Sequence, residues 1–211
     1  MWSEYPVNRW LVAVSAVLLL LYLNRFYTLV PYLARALSDW KGNLRLEASM
    51  QRIRDRNAIA LCMIPPFCLI SDRYSIITVR HLDFCPDGLR VLSVIGVFVL
   101  YLLVRWMLYR ICSPGKDEAS TYKVAKSCEG NYFIMIVAVL MLSVGVLAVL
   151  NVKDHIVREI LLYELGLLYI LALVGKAQIL SSSCSPFTTF LYLCALEIIP
   201  TGLLILFNIR S

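Results

Sequence analysis

Charge is scarce in this sequence: 16 % of its 211 residues are Asp, Glu, Lys or Arg, against 60 % hydrophobic, and the mean hydropathy is +0.76. A soluble domain of this length could not hide that much apolar surface, so the soluble globular class is excluded. Histidine is rarer still, with two in the chain. His81 and His155 stand in connections, with no second histidine four residues on and no H-E-x-x-H, which removes helix-borne metalloprotease chemistry. No G-x-S-x-G elbow, Walker loop or dinucleotide glycine pattern is present. The seven cysteines form no C-x-x-C pair. Cys62, Cys68, Cys112 and Cys194 fall in or beside apolar runs, where small apolar fillers are expected and neither a disulfide framework nor a zinc site is. Linkers, low-complexity tracts and internal repeats are lacking too, so residues 1–211 read as a single transmembrane helical domain.

What is present is a succession of long apolar runs. Residues 10–23 follow the interfacial aromatics Trp2, Tyr5 and Trp10; lacking a basic n-region and a cleavage site, they read as a retained helix. Residues 58–70 are apolar but short, at roughly 20 Å of helix, and contain Pro65-Pro66, so they form either a kinked span or a re-entrant segment. Residues 89–112, 132–150 and 156–180 are spans, with Asn131 as an N-cap of the second of these. The last run, 186–209, starts with Ser185 as N-cap and Pro186 at the first helical position. The expected fold is all-α: an integral membrane helix bundle of six transmembrane helices, the second short and broken at the proline pair.

The net charge of +6 is read as topology. With six spans, 13 of the 20 lysines and arginines fall on one side, which the positive-inside rule makes cytoplasmic, leaving the N-terminus outside. Residues 24–56 form a polar loop in which Leu46, Met50 and Ile53 recur at helical spacing, with Arg45, Arg52, Arg54 and Arg56 on other faces. That pattern fits a basic amphipathic helix on an anionic membrane surface, or a solvated loop helix.

Ionisable residues inside the runs carry the sharpest signal. Glu197 sits in the middle of 186–209, where an unpaired charge costs several kcal/mol. Pro200 removes a backbone donor three residues later and should bend the helix beside the carboxylate. Glu197 lies roughly 17 Å from the start of its helix, on the side that also carries Arg105 and Lys176. Arg105 is the expected counter-charge and Lys176 the second, the latter near enough to a helix end to snorkel. Glu164, in the opposite half, would turn to Arg158 or Tyr163. Such a group either fixes helix register as a buried pair or relays protons or substrate. Gly166 and Gly175 could each let a neighbouring helix approach closely, Tyr163, Tyr169 and Tyr192 read as packing residues, and Cys194 shares the face of Glu197.

The run Phe190-Leu191-Tyr192-Leu193-Cys194-Ala195-Leu196-Glu197-Ile198-Ile199-Pro200 resembles the C-terminal signature of a family of uncharacterised multi-pass membrane proteins from Bacteroidetes-type bacteria, a domain-of-unknown-function family of about this length. The likeness is specific over roughly a dozen residues. Members often carry a lysine beyond the proline; here residues 203–208 offer only Asn208 as a polar group. The resemblance implies a helical protein of the bacterial inner membrane and no established reaction.

Three roles remain after these exclusions. The first is a non-enzymatic accessory or scaffold subunit of an envelope assembly, serving protein export or biogenesis. The second is a small transporter or proton-coupled channel using Glu197, and the third a membrane-embedded lipid-modifying enzyme or protease. Partners expected are the lipid bilayer and either another protein or a second copy, with no nucleic acid, no metal and no cofactor.

Overall fold

In lipid every backbone N–H and C=O must be satisfied within its own segment, which leaves helices as the form open to apolar runs of this length. The structure, a computed structural model, describes residues 6–38, 49–77, 90–111, 119–182 and 185–203. Among the described residues the chain forms seven α-helices and no strand. Five are long and apolar enough to cross a membrane: α1 (Pro6–Ser38), α4 (Arg90–Ile111), α5 (Ala119–Val149), α6 (Asp154–Ser181) and α7 (Pro186–Leu203). Their outward faces carry Trp10, Leu20, Leu103, Leu142, Leu167 and Phe187, all more than half exposed. An apolar surface of that extent belongs in hydrocarbon.

The remaining two helices make up the short second segment. α2 (Met50–Cys62) and α3 (Ile64–Arg73) are separated by Met63 alone, which keeps helical dihedrals and donates its N–H to Ile59 O at 3.0 Å. Pro65 and Pro66 have no N–H to give to the carbonyls of Leu61 and Cys62, so the helix breaks there. Ile59, Met63, Phe67 and Cys68 are buried, and the segment packs against α1, α4 and α5, so protein covers its interrupted backbone.

α1 does not stop where its first apolar run ends. Tyr22, Phe26, Leu29 and Leu33 continue a stripe at helical spacing that joins the core, and the helix runs on to Ser38. The basic residues of 24–56 are divided by this packing. Arg54 is exposed, and Arg52 lies over the Tyr32 ring, 4.3 Å from its centroid. Arg56, expected at the membrane surface, is instead 5 % exposed, its side chain lying along Gly130 of α5 where the missing Cβ leaves room. Arg45 lies outside the described residues. Arg25 of α1 pairs with Asp55 of α2 at 2.8 Å.

Two apolar clusters result. The larger draws on α1 to α5 and the first turns of α6, and contains Phe67, Phe98 and Phe133 with ring centroids 5.1 to 5.8 Å apart. Tyr101 stacks on Phe98 at 6.2 Å and turns its hydroxyl toward α7. The smaller cluster joins Ala125, Cys128 and Tyr132 of α5 to Ala172, Ile179 and Leu180 of α6. α7 begins as expected: Ser185 Oγ accepts from Thr188 N–H at 3.2 Å and Pro186 occupies the first turn. Replacing Ser185 by alanine should cost about 1 kcal/mol, measured as earlier thermal unfolding in detergent.

Candidate functional site: a buried ion network across four helices

α7 is α-helical over Pro186–Leu193, and a π-helix occupies Cys194–Ile198, where the Ile199 N–H reaches back five residues to Cys194 O. Pro200 is the reason a regular turn fails here, because it cannot donate to the carbonyl four residues before it. The bend expected from Pro200 is therefore realised as a widened turn that begins ahead of it. Glu197 stands inside that turn, 4 % exposed, and its carbonyl accepts from the Tyr169 hydroxyl of α6 at 3.0 Å.

Its carboxylate meets two cations. Arg105 Nη2 of α4 and Lys176 Nζ of α6 both donate to Glu197 Oε1, so the two partners expected from sequence are both engaged. Lys176 does not snorkel; it is 5 % exposed, because Glu197 and a second carboxylate hold its ammonium in the interior. That second acid is Glu129 of α5. Its Oε1 accepts from Arg105 Nη2 at 2.8 Å and from Lys176 Nζ at 3.1 Å. The Tyr109 hydroxyl of α4 reaches Glu129 Oε1 and lies 3.1 Å from Glu197 Oε1. Two formal positive charges thus face two negative ones, and the group as a whole is neutral, the condition under which charges can be kept away from water.

The network is braced at both ends. Arg105 Nη1 donates to the Tyr101 hydroxyl at 2.9 Å, and that hydroxyl lies 3.3 Å from Thr201 Oγ1 beyond the π-turn. On the other side a cavity of about 20 Å³, the room of a single water, lies among Tyr109, Lys176, Tyr192, Glu197 and the apolar Leu193 and Leu196. Tyr132 of α5 packs its hydroxyl over Gly175, the residue before Lys176.

Sequence reasoning does not single out Glu129. Residues 116–130 read as a polar loop because Lys123, Lys126, Glu129 and Gly130 interrupt the hydropathy, but α5 begins at Ala119 and carries them. The signal that could have found it is the stripe Ala125, Cys128 and Tyr132, buried at helical spacing upstream of the supposed N-cap Asn131. Glu164 stays apart from the network, as its position in the other half required. Its partner is neither Arg158 nor Tyr163: Ser143 Oγ of α5 donates to Glu164 Oε1 at 2.7 Å, and Tyr163 is 77 % exposed, pointing away from the bundle. Cys194 is half-buried, and among the described residues no group of three His, Cys, Asp or Glu side chains is placed to hold a metal ion.

The apolar spans and the neutral ion network that joins four of them define a multi-pass membrane helix bundle. More particularly, the chain belongs to the family described as Domain of unknown function (DUF4271), whose family model matches residues 9–208. No curated protein and no solved structure matches it.

Proposed function

We propose that this protein is a non-enzymatic accessory or scaffold subunit of an envelope assembly in a bacterial inner membrane, its N-terminus on the periplasmic side and its ion network fixing the order of α4, α5, α6 and α7. One observation carries this reading: Glu197 and Glu129 each bond to both Arg105 and Lys176. Every charge is then spent on another helix, which is the arrangement that fixes registry. A cavity with room for one water supports the same conclusion, since a substrate would need several hundred Å³. The outward apolar faces and short connections suit a role played by contact with lipid and with another membrane protein.

Extraction of the full chain from native membranes in mild detergent, followed by identification of what co-purifies, tests the reading. A stoichiometric membrane-protein partner or a defined homo-oligomer is expected. A monodisperse monomer in several detergents overturns it. The second reading, a proton-coupled transporter, is favoured by the π-turn beside Glu197, since such turns mark sites of function in many helices. It requires flux of a solute or of protons across proteoliposomes that Glu197→Gln abolishes.

A further inference from the structure

We infer that Arg110 of α4 and Lys126 of α5 form a binding site for the phosphate of an anionic phospholipid, which ties these two helices together at the end of the bundle nearest the ion network. The inference goes beyond the scaffold reading and takes from it only the orientation of the chain.

Depth places the pair. The 22 residues of α4 make roughly 33 Å of helix, close to the thickness of the hydrocarbon core, so Arg110 in its last turn stands at the headgroup boundary. Leu100, Leu103 and Met107 carry an apolar face up to that turn. Trp106, half exposed, sits one turn inside it, the level that interfacial aromatics take. Lys126 Nζ lies 5.4 Å from the centroid of the Tyr109 ring, and Tyr109 precedes Arg110, so the two cations share one level. In the proposed orientation that level belongs to the cytoplasmic leaflet, which carries the negative surface potential.

Charge selects the ligand. Arg110 and Lys126 are both exposed, and among the described residues neither side chain has a hydrogen bond or a carboxylate partner. Their contacts are aromatic: Arg110 Cζ lies 5.5 Å from the centroid of the Trp106 ring, as Lys126 lies over Tyr109. Such a contact holds a cation in place and leaves N–H donors for an oxyanion. The acids of the network, Glu129 and Glu197, are already spent on Arg105 and Lys176. The basic segment singled out by sequence is less free, since Arg25 pairs with Asp55 and Arg56 is buried. Phosphate suits the pair, because arginine presents a planar fork to two oxygens and lysine a point charge to another.

The position gives the lipid a task. α4 packs against α3 and against the π-turn of α7. It reaches α5 through the stack of Phe98 on Phe133 and through Arg105 and Tyr109, both of which bond to Glu129. A phosphate held by Arg110 and Lys126 adds a bridge between the two helices on the outer side of Tyr109, and so steadies those bonds.

The test offers the full chain, in neutral detergent, equal amounts of phosphatidylglycerol and phosphatidylcholine, and native mass spectrometry reads which lipid stays bound. Phosphatidylglycerol should be favoured, each cation contributing about a fivefold preference, the factor that about 1 kcal/mol represents. Arg110→Gln and Lys126→Gln should each lower the preference by about that factor, and the double variant by about 25-fold. An unchanged preference in the double variant overturns the proposal. So does an equal loss in Arg54→Gln, an exposed arginine of α2, because the lipid would then answer to net charge alone. In nanodiscs, the mixed lipids should raise the thermal midpoint of the native chain above that in phosphatidylcholine and leave the double variant unmoved; an equal rise in both overturns the bridge. Inorganic phosphate added to the phosphatidylcholine discs should give no rise, and a rise equal to that of the lipid assigns the pair to a soluble anion instead. Should the double variant not fold, salt decides on the native chain. Going from about 0.1 M to about 1 M shortens the screening length from about 10 Å to about 3 Å and should remove most of the preference, whereas a preference indifferent to salt overturns the site. A missing protein partner in co-purification leaves all of these readouts untouched, so the two readings fail separately.

Discussion

Glu197→Gln is expected to destabilise the bundle by about 3 to 5 kcal/mol, the usual cost of removing one partner from a buried ion pair. Glutamine keeps the shape and one acceptor oxygen, so the loss isolates charge. Arg105 and Lys176, 13 % and 6 % exposed in their side chains, would be left to share Glu129. The measurement is the midpoint of thermal or SDS-induced unfolding in detergent. Its informative companion is Glu197→Gln with Lys176→Met, which restores neutrality with one cation and one anion. The double variant should regain more than half of what the single loses, because the penalty lies in the unpaired charge more than in the missing contact. Additive losses would show that the four groups do not act as a neutral unit.

Among the described glycines, Gly175→Ala should be the most disruptive replacement. A Cβ at this position would stand 2.9 Å from Tyr132 Cζ and closer still to its hydroxyl, and the ring is wedged in the smaller apolar cluster. Overpacking of this kind costs about 1 to 3 kcal/mol, and here it also pushes apart the α5 and α6 turns that carry Glu129 and Lys176. Tyr132→Phe removes the nearest atom and should rescue part of the loss in the double variant. Gly166→Ala is the control. Nothing lies within 4 Å of its missing Cβ, so alanine there should be neutral or stabilising by up to about 1 kcal/mol. Equal effects at the two glycines would mean that the close approach at Gly175 is not what holds α5 to α6.

The spans were legible because a run of apolar residues long enough to cross a bilayer has few alternatives. The start of α7 was legible for a local reason, Ser185 and Pro186 each doing something only a helix N-terminus rewards. The pairing of Glu197 with Arg105 and Lys176 could be read because a carboxylate at that depth must find a cation, and helix ends fix which cations are at the same level. Depth is a one-dimensional quantity that a sequence records. The rotation of each helix about its axis is not recorded, and the misses follow from that. Glu164 had Arg158 and Tyr163 on its own helix, yet the rotation of α6 presents it to Ser143 and sends Tyr163 outward. Arg56 reads as a surface cation beside the exposed Arg54, but α2 turns it toward Gly130. Glu129 is hidden by its surroundings: two lysines and a glycine beside it resemble a loop unless the buried stripe through Ala125 and Cys128 is followed.

The widened turn at Cys194–Ile198 also constrains the length of the chain. Each residue of a helix advances the direction of its side chain by about 100°, so the extra residue taken up there sets where everything after it points. Thr201 meets Tyr101 on that account. A residue inserted or deleted between Glu197 and Pro200 would barely change hydropathy or span length and would leave Glu197 in register with the helix before it, yet still aim the end of the helix at lipid. The last span therefore tolerates exchange of its apolar residues far better than any change in their number.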